Sequence, residues 1–425
     1  MKQGFIKVAS AVPSVRVADC KYNIEQIETL LIQAEGQGVE IVVFPELCVT
    51  GYTCQDLFRQ QALLDATEMA VIHLLDFTRQ LDCTSIIGLP VAVGDLLLNC
   101  AMVIQQGQII GIVPKTYLPN YSEFYEKRWF ASAQDLKPTV VRFAGQKIEV
   151  TPEPQLFVTE DGVKFGIEVC EDVWAPIPPS NHLALAGAEL IFNLSASDEL
   201  VGKHDYLLNL LAQQSARTIT GYIYSSSGFG ESTQDVVYGG NALIYENGQL
   251  LAQGERFALE SQMQMQQIDI ERLRSERRTN STYVNAVRNL PTLQYRNHLC
   301  ISQESKGENS AHSCTACLHF LFARKIEREF TLERAIDPHP FIPSRHYMQQ
   351  SCEDAFTIQV MGLAKRLVHT GCKKVVIGVS GGLDSTLALL VCVRTFDRLN
   401  LDRKGIIGVT MPGFGTTDRT YNNAM

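Results

Sequence analysis

Over the first ~270 residues, short runs rich in Val and Ile alternate with longer segments whose apolar residues recur at helical spacing. This alternation restricts the fold more than any other feature. A strand of continuous apolar residues needs cover on both faces, and an amphipathic helix has one stripe to bury. Layered α/β architectures satisfy both needs. Strands are expected over 5–12, 40–45, 85–91, 99–104, 108–114, 164–169, 190–194 and 222–226. Ile24, Ile27, Leu31 and Ala34 mark a helix over 22–37, closed by Gly36 and Gly38; 61–81 and 204–217 read as further helices. Two hairpins are predicted, ALIYENGQLLAQ turning at Asn247-Gly248 and VIQQGQII turning at Gly107.

The pattern changes after Arg272. RLRSERRTN is charged, the stretch from Cys300 to Cys314 is polar, and DPHPFIPS is too rich in proline for a helix interior. A new unit opens near His346: a long helix over 347–370, a buried strand in KVVIGVS, a helix over 385–399 and a strand in GIIGVTM. That order is a βαβ unit, the opening of a parallel nucleotide-binding sheet. The expected organisation is a first domain over 1–275, a connector over 276–345 that partly wraps the domains, and a second domain over 346–425. With two or three strands in ~80 residues the second domain has little core to bury, so it reads as incomplete.

Composition narrows the setting. Hydrophobic residues are 45% and charged residues 20% of the 425, an ordinary globular balance. A net charge of -9 argues against nucleic acid and against membrane surfaces as partners. No apolar run reaches the ~18 residues of a membrane span. Twelve cysteines are scattered, many inside apolar runs (Cys20, Cys100, Cys392), which suits a reduced, cytoplasmic protein. AHSCTACLHF gathers His312, Cys314, Cys317 and His319. Four donors packed so tightly rarely close a tetrahedron, so incidental thiols and no metal are expected there.

Three segments put an ionisable residue at a strand end: Glu46 in VFPELCVTGY, Lys115 in VPKTYLPNYSEFYEKRWF and Cys170 in FGIEVCEDVW. Strand ends are where α/β folds gather reacting groups. Singly, Glu46 and Lys115 read as solvated loop residues and Cys170 as a small core residue. Two carboxylates, Glu171 and Asp172, directly follow Cys170 and should make its thiol less acidic. A lysine close by would offset them and favour thiolate.

Taken together and in this order, FPEL, PKTYLPNY and VCEDVW resemble the nitrilase superfamily of C–N hydrolases. The resemblance implies an α-β-β-α sandwich in which Glu46 is general base, Lys115 holds the oxyanion and Cys170 is the nucleophile. Glu171 and Asp172 are then expected to point away and pair with lysine or main-chain donors.

In the second unit GVSGGLDSTLALL follows a strand and opens a helix, and it lacks the Gly-Lys-Ser/Thr ending of a Walker A loop. Its glycines let main chain approach phosphate, and helix N-terminal amides favour anions. Asp384 suits either a helix cap or a magnesium ion. The loop resembles that of ATP pyrophosphatases, which assigns ATP to Gly378, Val379, Ser380, Gly381, Gly382, Leu383, Asp384 and Ser385, with Mg2+ accompanying it. The fold class expected is a nitrilase-like sandwich followed by a partial Rossmann-like parallel-sheet ATP-pyrophosphatase domain.

A C–N hydrolase joined to such a domain resembles glutamine-dependent NAD synthetases, and MPGFGTTDRT (411–420) is similar to a segment of their synthetase half. That resemblance implies L-glutamine, ATP and deamido-NAD as substrates, ammonia channelled between sites, and a homo-oligomer. It also implies glutamine contacts at Tyr121, Ser197 and Lys203, with Tyr52 lining the pocket. Lys203 as a solvated helix-start residue and Tyr121 as core packing stay open. With an incomplete second domain, the chain is expected to hydrolyse glutamine weakly or to retain only the amidase step. The alternative is a stand-alone nitrilase-family amidase with a degenerate C-terminal tail.

Overall fold

The computed structural model describes residues 3–288, 294–297, 315–326, 329–343, 345, 347–411, 413 and 417–425. His312 and Cys314, and part of the 411–420 stretch, lie outside the described residues. The chain forms two compact units, one reaching Arg334 and the other starting at Ala335.

The first unit is built on two eight-stranded sheets. One contains β1 (Phe5–Val12), β2 (Ile41–Val43), β3 (Thr84–Val93), β4 (Leu96–Gln105), β5 (Gln108–Pro114), β6 (Thr139–Phe143), β7 (Gln146–Val150) and, beside β1, β14 (Gln262–Asp269). The other contains β8 (Gln155–Val158), β9 (Lys164–Val169), β10 (Leu190–Ser195), β11 (Gly221–Ser226), β12 (Ala242–Glu246) and β13 (Gln249–Gln253), extended beyond β8 by β15 (Gln294–Asn297) and β16 (Thr315–Phe320). Helices α1 (Cys20–Gly36) and α2 (Gln61–Thr78) cover the first sheet, and α3 (Pro179–Leu185) and α4 (Lys203–Thr218) cover the second.

Strand alternation explains the four layers. Along β1, Ala9 and Ala11 face α1 and α2 in one core, with Ile24, Ile27, Leu31, Val71 and Leu74. Ile6 and Val8 point the other way, into the core between the sheets, and meet Ile167, Phe192, Ile223 and Ile244. A third core joins Ile191, Tyr222 and Leu243 to Leu183, Leu207 and Leu211 of α3 and α4. Both faces of the central strands are therefore buried, which is why they read as unbroken apolar runs. Both hairpins form with left-handed turn residues, Gln106 (φ 48) with Gly107 (φ 79) and Asn247 (φ 46) with Gly248 (φ 85).

Several strands have no counterpart among those expected. β14 reads QMQMQQID, a weak strand sequence, yet it pairs antiparallel with β1 along its whole length. Met263 and Met265 pack on the helix-side core, so burial overrides local preference. The β6–β7 hairpin and β8 are likewise additions. Between 276 and 334, β15 and β16 join the second sheet, and the following chain ties back onto the first unit. Phe322 N donates to Gln105 Oε1 (2.7 Å), and Arg334 grips Glu246 through both terminal nitrogens (2.5 and 2.8 Å).

The second unit contains α7 (Met348–Thr370), β17 (Val375–Gly378), α8 (Leu383–Arg398), β18 (Ile406–Val409) and α9 (Asp418–Ala424). β17 and β18 pair in parallel across α8, a Rossmann-like βαβ unit. The first unit's remaining helices, α5 (Ile270–Thr279) and α6 (Ser281–Arg288), follow β14. Among the described residues, no helix is long and apolar enough to cross a membrane.

Candidate active site

Glu46, Lys115 and Cys170 each follow a strand, β2, β5 and β9 respectively, and the fold brings these ends together. Lys115 Nζ donates to Glu46 Oε1 at 2.6 Å and to Glu126 Oε1 at 2.7 Å. All three side chains are shut off from solvent. Asn99 Nδ2 adds a 2.6 Å bond to Glu46 Oε1, and Tyr52 Oη adds a 2.8 Å bond to Glu126 Oε1. The second oxygen of Glu46 has no hydrogen-bond partner among the described residues, which leaves it available as a proton acceptor.

The turn carrying Glu46 sits directly on β3. A Cβ at Gly88 would lie 2.3 Å from Leu47 N and 2.5 Å from Pro45 O, so only glycine permits this approach. Leu47 itself has φ 50. The Glu46 N–H donates to the Ser195 carbonyl at the end of β10 (3.3 Å).

Cys170 opens a tight turn, Cys170–Trp174, with a left-handed backbone (φ 49) that a side chain rarely adopts. Asp172 holds that turn. Its carboxylate accepts from Val169 N (2.9 Å) and, across to the residues after Lys115, from Tyr117 N (2.8 Å) and Thr116 N (3.2 Å). Glu171 instead accepts from the Tyr121 hydroxyl (2.8 Å), not from a lysine or the main chain as the sequence suggested. Both acids beside the cysteine are thus bound by neighbours, and Asp172 braces the turn.

The electrostatics correct one expectation. Burial, then Glu46, push the Cys170 thiol well above its ordinary range; Lys115 opposes them, and Glu126 adds to the rise. The ammonium is shared between two carboxylates and only partly offsets that rise, so the resting group is a thiol. Burial works against the charge on Lys115, but Glu126 and Glu46 outweigh it and hold the ammonium protonated. Burial raises Glu126 to about 7, with Lys115 opposing and Glu46 adding to the rise. A thiol, a carboxylate with a free oxygen and an ammonium in one dry pocket are the parts that acyl transfer through a thioester requires.

Other candidate positions surround this cluster. Tyr121 is 55% exposed and reaches Glu171. Lys203, the first residue of α4, pairs with buried Asp198 at 2.5 Å and lies 5.6 and 5.8 Å from the ring centres of Phe124 and Trp174. Ser197 is buried, its N–H donating to Ser226 Oγ (3.1 Å). Tyr52 lines a cleft with Phe124, Tyr125, Trp129 and Tyr238, while its hydroxyl is engaged by Glu126. Sequence reasoning missed Glu126, Asn99 and Glu231, which accepts from Tyr52 N and Thr53 N. Glu126 lay inside the quoted Lys115 segment, but nothing in its spacing marked it.

In the second unit, Gly381 (φ 82) is forced by the Thr420 carbonyl, 2.1 Å from where a Cβ would stand. Gly382 caps α8, so Asp384 sits exposed in the first turn and is not the cap. Ser385 Oγ accepts from Ser380 N (3.2 Å) and donates to Gly382 O (3.0 Å). Main-chain amides and two hydroxyls at a helix start form a donor set suited to phosphate.

Comparison with known proteins follows these divisions. Residues 7–278 match the family of carbon-nitrogen hydrolases, and residues 356–425 match NAD synthase. A Mycobacterium leprae protein named glutamine-dependent NAD(+) synthetase is 36% identical over 425 residues, covering 99% of this chain and 59% of that protein. The structure of a glutamine-dependent NAD+ synthetase from Acinetobacter baumannii with ADP superposes with TM-score 0.53 at 20% identity, covering 99% of this chain and 62% of the other. A carbon-nitrogen hydrolase from Helicobacter pylori G27 superposes with TM-score 0.53 at 20% identity, covering 66% of this chain and 94% of the other. This chain spans about three fifths of the length of the curated relatives it matches.

Proposed function

The chain belongs to the carbon-nitrogen hydrolase family, and from that premise we propose that it releases ammonia from L-glutamine at Cys170 for the synthesis of NAD. The observation that carries the reading is the buried Glu46–Lys115–Glu126 cluster at the same strand ends as the Cys170 turn. The free oxygen of Glu46 takes the thiol proton as sulfur attacks the amide carbon. The Lys115 ammonium and the main-chain N–H of Glu171 hold the oxyanion. Glu46 returns the proton to the leaving nitrogen, ammonia departs and a thioester remains. Water, deprotonated by Glu46, then cleaves the thioester to glutamate and the free thiol.

Tyr121, Ser197 and Lys203 supply a phenol, a hydroxyl and a cation for the amino-acid end of glutamine, and Tyr52 closes the pocket wall. In this organisation 1–275 is the glutaminase, 276–345 the connector and 346–425 the start of an ATP-pyrophosphatase domain. The Gly378–Ser385 loop binds ATP, with Mg2+ accompanying the phosphates. ATP adenylates the carboxylate of deamido-NAD and releases pyrophosphate; ammonia displaces AMP to give NAD. Passage through a protected channel keeps ammonia from becoming ammonium, which is not a nucleophile. A reduced, cytoplasmic setting fits the free thiols of the described cysteines, and a homo-oligomer completes the reading.

Glutamate release by the purified chain tests the first step, with Cys170→Ala as control. NAD formation from ATP and deamido-NAD, supplied with glutamine or with ammonium, tests the second. Equal turnover of simple aliphatic amides and glutamine would favour a stand-alone amidase instead.

A further inference from the structure

Behind the reacting cluster lies a second buried polar system, on the face of the second sheet turned toward α3 and α4. Ser195 Oγ donates to Asn193 Oδ1 (2.7 Å), Asn193 Nδ2 donates to Tyr222 Oη (3.2 Å), and the Tyr222 hydroxyl donates to Glu168 Oε1. Glu168 Oε2 accepts from Ser180 N at the start of α3 (2.8 Å). Every member is buried to 1% exposure or less. The donors all run one way, ending on the carboxylate, so the order of the chain is fixed.

What this relay fixes is the end of β10. The Ser195 carbonyl accepts from the Glu46 N–H (3.3 Å) and from Ser227 N (3.0 Å). The main-chain N–H of the next residue, Ala196, opposes the rise of the Cys170 thiol. The residue after that is Ser197. Three successive residues therefore bear on the base's backbone, the nucleophile's thiol and the proposed substrate pocket. A polar network costs more to bury than an apolar one unless all its members are satisfied, and what it adds is a single geometry. At this place the geometry is that of sulfur and carboxylate relative to each other.

We propose that Glu168, Tyr222 and Asn193 are positioning residues, which hold Ser195–Ser197 so that Glu46 and Cys170 face each other at reacting distance. The inference rests on Cys170 and Glu46 being the reacting pair. Tyr222→Phe removes one hydroxyl and keeps the ring in the core; Ser195→Ala removes the last link of the relay. Each is expected to lower kcat for glutamine by ~10- to 100-fold with KM changed less than ~2-fold, because binding contacts stay while alignment is lost. Since the two act through one relay, the double variant should lose no more than ~2-fold beyond the worse single one.

Glutaminase kinetics, iodoacetamide labelling of Cys170 and thermal melts are read on the same preparations. Folded variants with unchanged kcat would overturn the inference. So would a loss that tracks the unfolded fraction, or losses that multiply in the double variant. Wild-type chain that failed to hydrolyse glutamine would instead overturn the functional reading beneath it, so the two failures are distinguishable.

Discussion

Replacing Gly88 by alanine places one methyl group against the main chain that carries Glu46. The new Cβ would stand 2.3 Å from Leu47 N, 2.5 Å from Pro45 O and 2.8 Å from Glu46 C, where ordinary contact begins at 3.4 Å. All three are backbone atoms, so no side chain can rotate aside, and the turn must retreat by about 1 Å. Glu46 is held by 2.6 Å bonds from Lys115 and Asn99, and its second oxygen is the proposed proton acceptor. A displacement of that size in a reacting group costs ~100-fold in rate. Overpacking itself costs about 1–3 kcal/mol, against a native stability of about 5–15 kcal/mol for ordinary folded domains. Glutamate release and a thermal melt, compared with Gly36→Ala, separate the two effects, since a Cβ at Gly36 meets nothing within 4 Å. Gly88→Ala with kcat within twofold of wild type would refute the reasoning that this contact sets the position of the base.

Lys115→Met leaves Glu46 and Glu126 buried together without their shared cation. It should destabilise the fold by about 3–5 kcal/mol and lower glutamine hydrolysis by ~100-fold or more; adding Glu126→Gln should recover the melting temperature and not the turnover. Glu126 is raised by burial to about 7, so its contribution to stability is fully present below the ordinary carboxyl range and lost as pH rises through 7. Wild type should therefore lose melting temperature relative to Glu126→Gln between pH 5 and pH 8; a difference that stays constant over that range would show the carboxylate is ionised throughout. Because burial and Glu46 hold Cys170 as a thiol, iodoacetamide labelling should stay slow at pH 7 and accelerate only above the ordinary thiol range, while glutamine turns over at neutral pH. Fast labelling with a midpoint below ~8 would indicate a resting thiolate.

Much of this was legible one segment at a time. Alternating apolar runs and amphipathic stripes located most central strands, because local chemistry decides where a chain has two faces to bury. The ionisable residues after 43, 114 and 169 stood out because α/β strands converge at their ends. The Gly381-Gly382 loop was legible as a tight turn because two adjacent glycines stand between a strand and a helix. β14 was not legible: its alternating Gln and Met become a strand only when β1 offers a partner and the helix-side core accepts Met263 and Met265.

Tertiary structure alone decided how charge is shared. From the sequence, Lys115 looked like the cation that would make Cys170 a thiolate. In the folded chain Glu126 comes in beside Glu46 and takes half of that ammonium, and burial pushes the thiol the other way. Gly88 meets the Glu46 turn, and Ser195 holds its N–H, across gaps of many residues. Local order follows from neighbours in the chain, whereas burial and Coulomb interactions depend on distances that exist only after folding.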